Sequence, residues 1–221
     1  MKIIKNNPKK YESIKAFVRK KMPISKNNIR RVTSPIRAIH QRYFEDFVFI
    51  HINKCGGTSM ERALGMPFIN HRTAEEHRNI IGNKLWSMRY KFALVRNPYD
   101  RLGSLFFYRH KDYNLVQARR VFPSWLDEIA EKNINKTAGP KLSPQLSWIS
   151  DSTGSIIIDQ WLKLETINEE IGMLEIKLNQ KLNLNVLNKR KDHINYMDLY
   201  DDHTKSVIQD IFFEDFDTFN Y

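Results

Sequence analysis

The chain has 221 residues, 41% of them apolar, which is enough for one domain with a sizeable core. No run of eighteen apolar residues occurs, which excludes a membrane-spanning helix, and a lone cysteine excludes an intrachain disulfide. The net charge of +11 is unevenly placed: residues 1–42 hold thirteen Lys or Arg against one acid, Glu12, while the remainder holds 23 basic and 24 acidic residues.

The basic arm, residues 1–42, reads as an extension preceding a body over 43–221. Within it, residues 9–21 fit a short basic helix with Tyr11, Ile14, Phe17 and Val18 on one side. That pattern favours docking on a membrane surface or a partner over reading nucleic-acid bases, and a solvated extension fits it equally. The N-terminus lacks the apolar stretch of a signal peptide, so the expected location is cytoplasmic, peripheral at a membrane if the arm docks there. A first buried strand is predicted over 47–52 and a helix over 58–64. Between them, Gly56-Gly57 permits a tight turn close to a ligand, and Thr58-Ser59 opens a helix whose first N–H groups lack internal partners. Lys54 places a full charge beside these donors. A second buried strand over 91–95 ends at Arg96, and a helix over 99–111 follows, with Pro98 suited to its first turn. Further on, a helix over 117–131 is anchored by Trp125 and Leu126, and 133–144 reads as a loop. A strand over 155–158 is expected next, then a helix over 166–181 with Ile167, Ile171, Leu174 and Leu178 at helical spacing. A last helix over 201–212 precedes an aromatic end in which Phe212, Phe213, Phe216, Phe219 and Tyr221 read as packing residues.

The two strand ends are where chemistry is expected. Arg96 is able to fork onto a phosphate with two hydrogen bonds, and Ser104, eight residues on, is able to donate a third. Alternatives stay open for each residue: a solvated Lys54, an Arg96–Asp100 ion pair, a packing Ser104. The nucleotide-triphosphatase loop G-x-x-x-x-G-K-[ST] puts its lysine after the glycines. Here Lys54 precedes Gly56-Gly57, which disfavours ATP or GTP hydrolysis. Two neighbouring anion sites suit a ligand with separate anionic groups.

These residues resemble a known family. His51 through Ser59, H-I-N-K-C-G-G-T-S, is similar to the 5′-phosphosulfate loop H-I-P-K-T-G-G-T-S of sulfotransferases that use 3′-phosphoadenosine-5′-phosphosulfate (PAPS). Leu94 through Ser104 resembles their 3′-phosphate segment, Gln145 through Glu165 their third region, and Asp215 through Tyr221 their closing D-F-x-x-F-x-Y. The nearest pattern is that of the carbohydrate sulfotransferases, the heparan sulfate 2-O- and chondroitin-type enzymes and their bacterial relatives. The resemblance covers about residues 45–221 and implies an α/β fold of the P-loop-containing nucleotide-hydrolase-like type, a mainly parallel sheet flanked by helices. It implies sulfuryl transfer from PAPS to a carbohydrate hydroxyl with release of PAP, no metal, and no nucleic-acid partner. Lys54, Cys55, Gly56, Gly57, Thr58 and Ser59 would hold the 5′-phosphate, Arg96 and Ser104 the 3′-phosphate, and Lys54 would stabilise the leaving group. His71, in N-H-R-T-A-E-E, resembles the family's histidine-bearing segment and is the expected base, with Glu75 and Glu76 in reserve. His51 is expected to be structural, and His77 and His110 to face solvent from helices. Arg101 would either assist the phosphate site or pair with Asp100 or Glu165. Two departures stand out. Asn53 replaces a proline and should loosen the loop. Cys55 replaces a threonine, either as an inert small residue or as an easily ionised thiol whose alkylation blocks PAPS. Two rival functions are a P-loop-like small-molecule kinase and a non-catalytic protein that binds an anionic polymer or membrane through its arm.

Overall fold

Three short strands, β1 (Phe47–Ile50), β2 (Tyr90–Val95) and β3 (Gln160–Lys163), pair in parallel in the order β1-β2-β3 in the computed structural model. The structure describes residues 41–43, 45–66, 71–184 and 194–221. Residues 1–40 of the arm, with its 9–21 helix, therefore lie outside the described residues. β2 is central, and its Lys91–Val95 stretch is buried, as expected of a strand with neighbours on both edges and helices packed on the sheet. From β1 onward, the helices among the described residues are α1 (Gly57–Ala63), α2 (Ala74–Ile81), α3 (Asn83–Met88), α4 (Pro98–Arg109), α5 (Leu115–Ile134), α6 (Leu146–Ile149), α7 (Ile167–Leu178), α8 (Asp202–Ile211) and α9 (Phe213–Phe219), with a 3₁₀ turn over Tyr196–Leu199. Among the described residues, no helix is long and apolar enough to cross a membrane.

The third strand is not where the Ser-Ile-Ile-Ile run suggests. Residues 155–158 form only an isolated antiparallel bridge, Ser150 to Ile156, and Ile156 is 39% exposed. Asp159 sets the true start. Its carboxylate accepts from the Lys91 backbone N–H at 2.7 Å and pairs with the Lys91 ammonium at 2.9 Å, while its own N–H donates to the Lys91 carbonyl. Pairing with β2 then runs from Gln160, and Leu162 enters the core. The run loses to a polar clamp that fixes register one residue further on.

The helix α2, between β1 and β2, carries a signal in the sequence that an apolar-period reading passes over. Thr73 and Glu76 form a capping box, each side chain bonded to the other's backbone N–H. The same device, Asn114 with Gln117, starts α5. His77 on α2 does not face solvent as expected. It is 1% exposed, and its Nδ1 is hydrogen-bonded to the Gln41 side-chain amide, 2.7 Å from Nε2 and 3.0 Å from Oε1. Arg89 donates to the carbonyls of Gln41 and Arg42 at 2.7 and 2.8 Å, so these last residues of the arm pack on the body. His110 is likewise half-buried, its ring 4.5 Å from that of Phe106 at the end of α4.

The apolar residues fall into two cores. One surrounds the sheet, with Phe49, Phe92, Met60, Trp148, Leu174 and Phe219. The other is helical, where α4, α5 and α8 interlock Leu102, Phe106, Phe122, Leu126, Ile208 and Phe212. Phe106 meets Phe122 and Trp125 edge-on at 5.2 Å each. Burial of each such ring contributes about 1.5–3 kcal/mol. Of the C-terminal aromatics, Phe212 and Phe219 are buried, whereas Phe213 is 67% exposed.

Candidate anion-binding site

All three strands run the same way, so their carboxyl ends meet at one edge of the sheet, the usual ligand position in open parallel sheets. There the chain leaves β1 into 51–56, β2 into Arg96-Asn97 and β3 into Leu164-Glu165. The turns are stitched together: Leu164 N–H donates to the Val95 carbonyl at 2.8 Å, and Asn97 N–H donates to Glu165 Oε1 at 2.9 Å. Gly56 has φ 76°, and a Cβ there would lie 2.6 Å from Leu164 Cδ1. A Cβ on Gly57 would lie 2.1 Å from the His51 ring. Glycine is therefore favoured at 56 by its left-handed backbone and required at 57 by the His51 ring. His51 is buried, with Nδ1 3.0 Å from Glu61 Oε1, in keeping with a structural role.

Asn53 does not loosen this loop. Arg101 of α4, 1% exposed, locks it: Nη2 donates to Asn53 Oδ1 at 2.9 Å and Nε to the Asn53 carbonyl at 3.3 Å. The same guanidinium donates to the carbonyls of Ser143 at 2.9 Å and Lys141 at 3.4 Å. Among the described residues, no carboxylate lies in ion-pair contact with Arg101, so neither expected partner, Asp100 or Glu165, holds it. It is a brace between α4, the β1 loop and the segment before α6.

Gln145 is the residue that sequence reasoning did not assign. Fully buried, it offers Oε1 to the Arg96 N–H at 2.9 Å and Nε2 to the Arg96 carbonyl at 2.7 Å. Oε1 also accepts from the Cys55 thiol at 3.1 Å. Asp215, equally buried, accepts from the backbone N–H groups of Gln145 and Leu146 at 2.8 Å each. One amide thus joins the two motif turns to the C-terminal segment. Its only sequence signal is membership of the 145–165 region.

This settles the state of Cys55. Its side chain points into the core, not the mouth, so only its backbone is placed to meet a ligand. Burial pushes the thiol up to about 12, against 9.0 ordinarily. The thiol is protonated at neutral pH and contributes as a hydrogen-bond donor. The thiolate fraction at pH 8 should fall by about a thousandfold. We therefore expect iodoacetamide to leave Cys55 unmodified in the native protein and to label it fully in denaturant; rapid native labelling, followed by mass spectrometry, would contradict the buried geometry.

Two cations, Lys54 and Arg96, stand at this edge, with the carboxylates of Asp100 and Glu165 beside them. Lys54 sits at φ 69°, a left-handed backbone, and its carbonyl accepts from Arg96 Nη1 at 3.3 Å. Burial lowers the Lys54 pKa, and Arg96 and Lys111 lower it further. Arg96 stacks over the Tyr196 ring at 5.4 Å, and its contact with Asp100 is long, 3.9 Å. Tyr196 reaches it because Gly103 lets the 3₁₀ turn approach α4: a Cβ there would lie 2.7 Å from Tyr196 Cβ. Ser104 is half-buried on α4. It falls three residues after Arg101 and four before Tyr108, on the one helix face directed at Asn53 and Lys54.

His71 lies against His51, where the chain leaves β1. Its ring is 4.2 Å from that of His51, and its Nδ1 is 3.2 Å from the His51 carbonyl oxygen. An Nδ1–H donating there assigns the lone pair to Nε2. The reserve carboxylates are committed elsewhere: Glu76 closes the capping box, and Glu75 pairs with Arg78 at 3.3 Å. Lys54, Arg96 and the Gly56–Ser59 turn are thus brought together, with Ser104 on the adjoining helix face and His71 flanking through His51. Comparison with protein-family models, curated proteins and solved structures finds no match for the chain.

Proposed function

We propose that this chain is a sulfotransferase that moves the sulfuryl group of PAPS to a carbohydrate hydroxyl and releases PAP, on a P-loop-like arrangement of its parallel sheet. The observation that carries the reading is the hydrogen bond from Arg96 to the Lys54 carbonyl, which joins the cations of two motifs 42 residues apart at one edge of the sheet. Two anion sites so linked suit a nucleotide phosphorylated at both ends. The Gly56–Ser59 turn presents backbone N–H groups ahead of the first helical bonds, which run from Ser59 and Met60 to the Gly56 carbonyl. These donors and Lys54 are assigned to the 5′-phosphate. Arg96 and Ser104 are assigned to the 3′-phosphate. The Arg96 contacts to Lys54 and Asp100 use only part of a guanidinium with five N–H groups.

In the transfer, the bond between sulfur and the 5′-phosphate oxygen breaks as the acceptor oxygen bonds to sulfur. The acceptor proton passes to His71 Nε2, and Lys54 offsets the charge that collects on the departing phosphate. No metal is invoked, since Lys54 and Arg96 supply the positive charge. The acceptor partner is a carbohydrate. Contact with a membrane surface through residues 1–42 belongs to the same proposal and lies outside the described residues.

The test is calorimetry with PAP, 5′-AMP and ADP on the native chain and on Arg96→Ala. A charge-assisted hydrogen bond is worth about 1.5–3 kcal/mol. Arg96→Ala should weaken PAP about 10–100-fold and change 5′-AMP less than about threefold. Equal losses for the two ligands would remove Arg96 from the 3′-phosphate. Failure of PAP to bind at millimolar concentration, with ADP binding instead, would favour the kinase reading.

A further inference from the structure

The Lys54 ammonium rests on an aromatic face. It lies 4.4 Å from the centroid of the Tyr108 ring, and the Lys111 ammonium lies 5.3 Å from the same ring. Tyr108 is 61% exposed, so the ring is not there to fill a core. It stands one turn of α4 beyond Ser104 and two beyond Arg101, on the face that braces the Lys54 loop. Two like charges meeting at one ring repel each other, and a lysine stem has ample rotational freedom to leave. The ring quadrupole supplies the attraction that keeps the ammonium near α4. The backbone of Lys54 is held as well, by its left-handed turn and by Arg96 at its carbonyl.

We propose that Tyr108 is a positioning residue for Lys54, its ring face holding the ammonium on the α4 side of the mouth where a departing phosphate would gather charge. This rests on the sulfuryl-transfer reading above. Tyr108 touches no reacting atom in this account. It acts by narrowing the positions open to Lys54, so its removal should show in turnover more than in nucleotide affinity. The ring face is what matters, so phenylalanine should serve and leucine should not.

The experiment pairs a structural with a kinetic readout. Carbon-13 correlation spectra would report the Lys54 ε-methylene protons, assigned by their loss in Lys54→Ala. Ring current should shift them upfield in the native chain and in Tyr108→Phe, and the shift should vanish in Tyr108→Leu. Turnover of ³⁵S-labelled PAPS, to a panel of oligosaccharides and to water, should fall about three- to tenfold in Tyr108→Leu and stay within about twofold in Tyr108→Phe. Affinity for PAP should stay within about twofold in both. Absence of the shift in the native chain, or native-like turnover in Tyr108→Leu, overturns the role of Tyr108 while leaving sulfuryl transfer intact. A native chain that shows the shift but neither binds PAP nor consumes PAPS overturns the sulfotransferase reading and, with it, this role.

Discussion

Replacing Lys54 with alanine is expected to lower PAPS turnover about 10²–10³-fold, the usual loss when a group aimed at transition-state charge is removed. Affinity for PAP should fall much less, because the charge on the departing phosphate is fully developed only as the sulfur–oxygen bond breaks. The geometry gives the experiment an internal control. Lys54 occupies φ 69°, where any side chain with a Cβ is strained, by an amount on the order of 1 kcal/mol. Lys54→Gly removes the same ammonium but relieves that strain. It should be as slow as Lys54→Ala and melt at a higher temperature than it. The comparison separates chemistry from folding. Near-native turnover of ³⁵S-labelled PAPS in either variant would remove Lys54 from the leaving group.

The second large effect concerns stability. Arg101→Leu should destabilise the fold by about 3–5 kcal/mol, because several buried acceptors lose their donor at about 1–3 kcal/mol each. The variant would leave the carbonyls of Asn53 and Ser143 and the Asn53 amide oxygen without the donor that now reaches them at 2.9–3.3 Å. For a domain of this length that corresponds to a drop in Tm on the order of 10 °C. Arg101→Lys should recover little, since a single ammonium lacks the planar fork that reaches two segments at once. Burial lowers the pKa of Arg101 from an already high value, so the guanidinium stays charged and the loss should not depend on pH near neutrality. A melting temperature within about 2 °C of native would mean that α4 and the β1 loop do not depend on this brace.

The two effects divide the site into layers. Lys54, Arg96 and the Gly56–Ser59 turn face the mouth. Arg101, Asn53, Cys55, Gln145 and Asp215 lie beneath and hold the turns in place. Asp215 shows the demand on the lower layer: burial raises its pKa, while Arg101 and the backbone donors of Gln145 and Leu146 pull it back down. A carboxylate so placed is supported by hydrogen bonds from the very segment it orients.

What depends on near neighbours in the chain was legible from the amino acids alone. Apolar runs gave β1 and β2, Gly56-Gly57 the turn, Pro98 the start of α4, and the order Lys54 before Gly56 the departure from a triphosphatase loop. Capping boxes at Thr73 and Asn114 were also present, though apolar periodicity does not reveal them. What depends on partners far along the chain had to await the fold. Ser-Ile-Ile-Ile at 155–158 is a better strand by composition than Gln160–Lys163, yet a clamp between Asp159 and Lys91 chose the latter. Cys55 beside Lys54 reads either as an inert small residue or as an easily ionised thiol, and the choice falls to Gln145, 90 residues on, whose amide oxygen accepts from the buried thiol. Arg101 reads equally as a phosphate-site residue or as the partner of Asp100 or Glu165, yet its fork closes on carbonyls from two other segments. Local preference sets which turns and helices form, whereas burial and hydrogen-bond satisfaction are properties of the assembled interior, and these assign the lower layer its work.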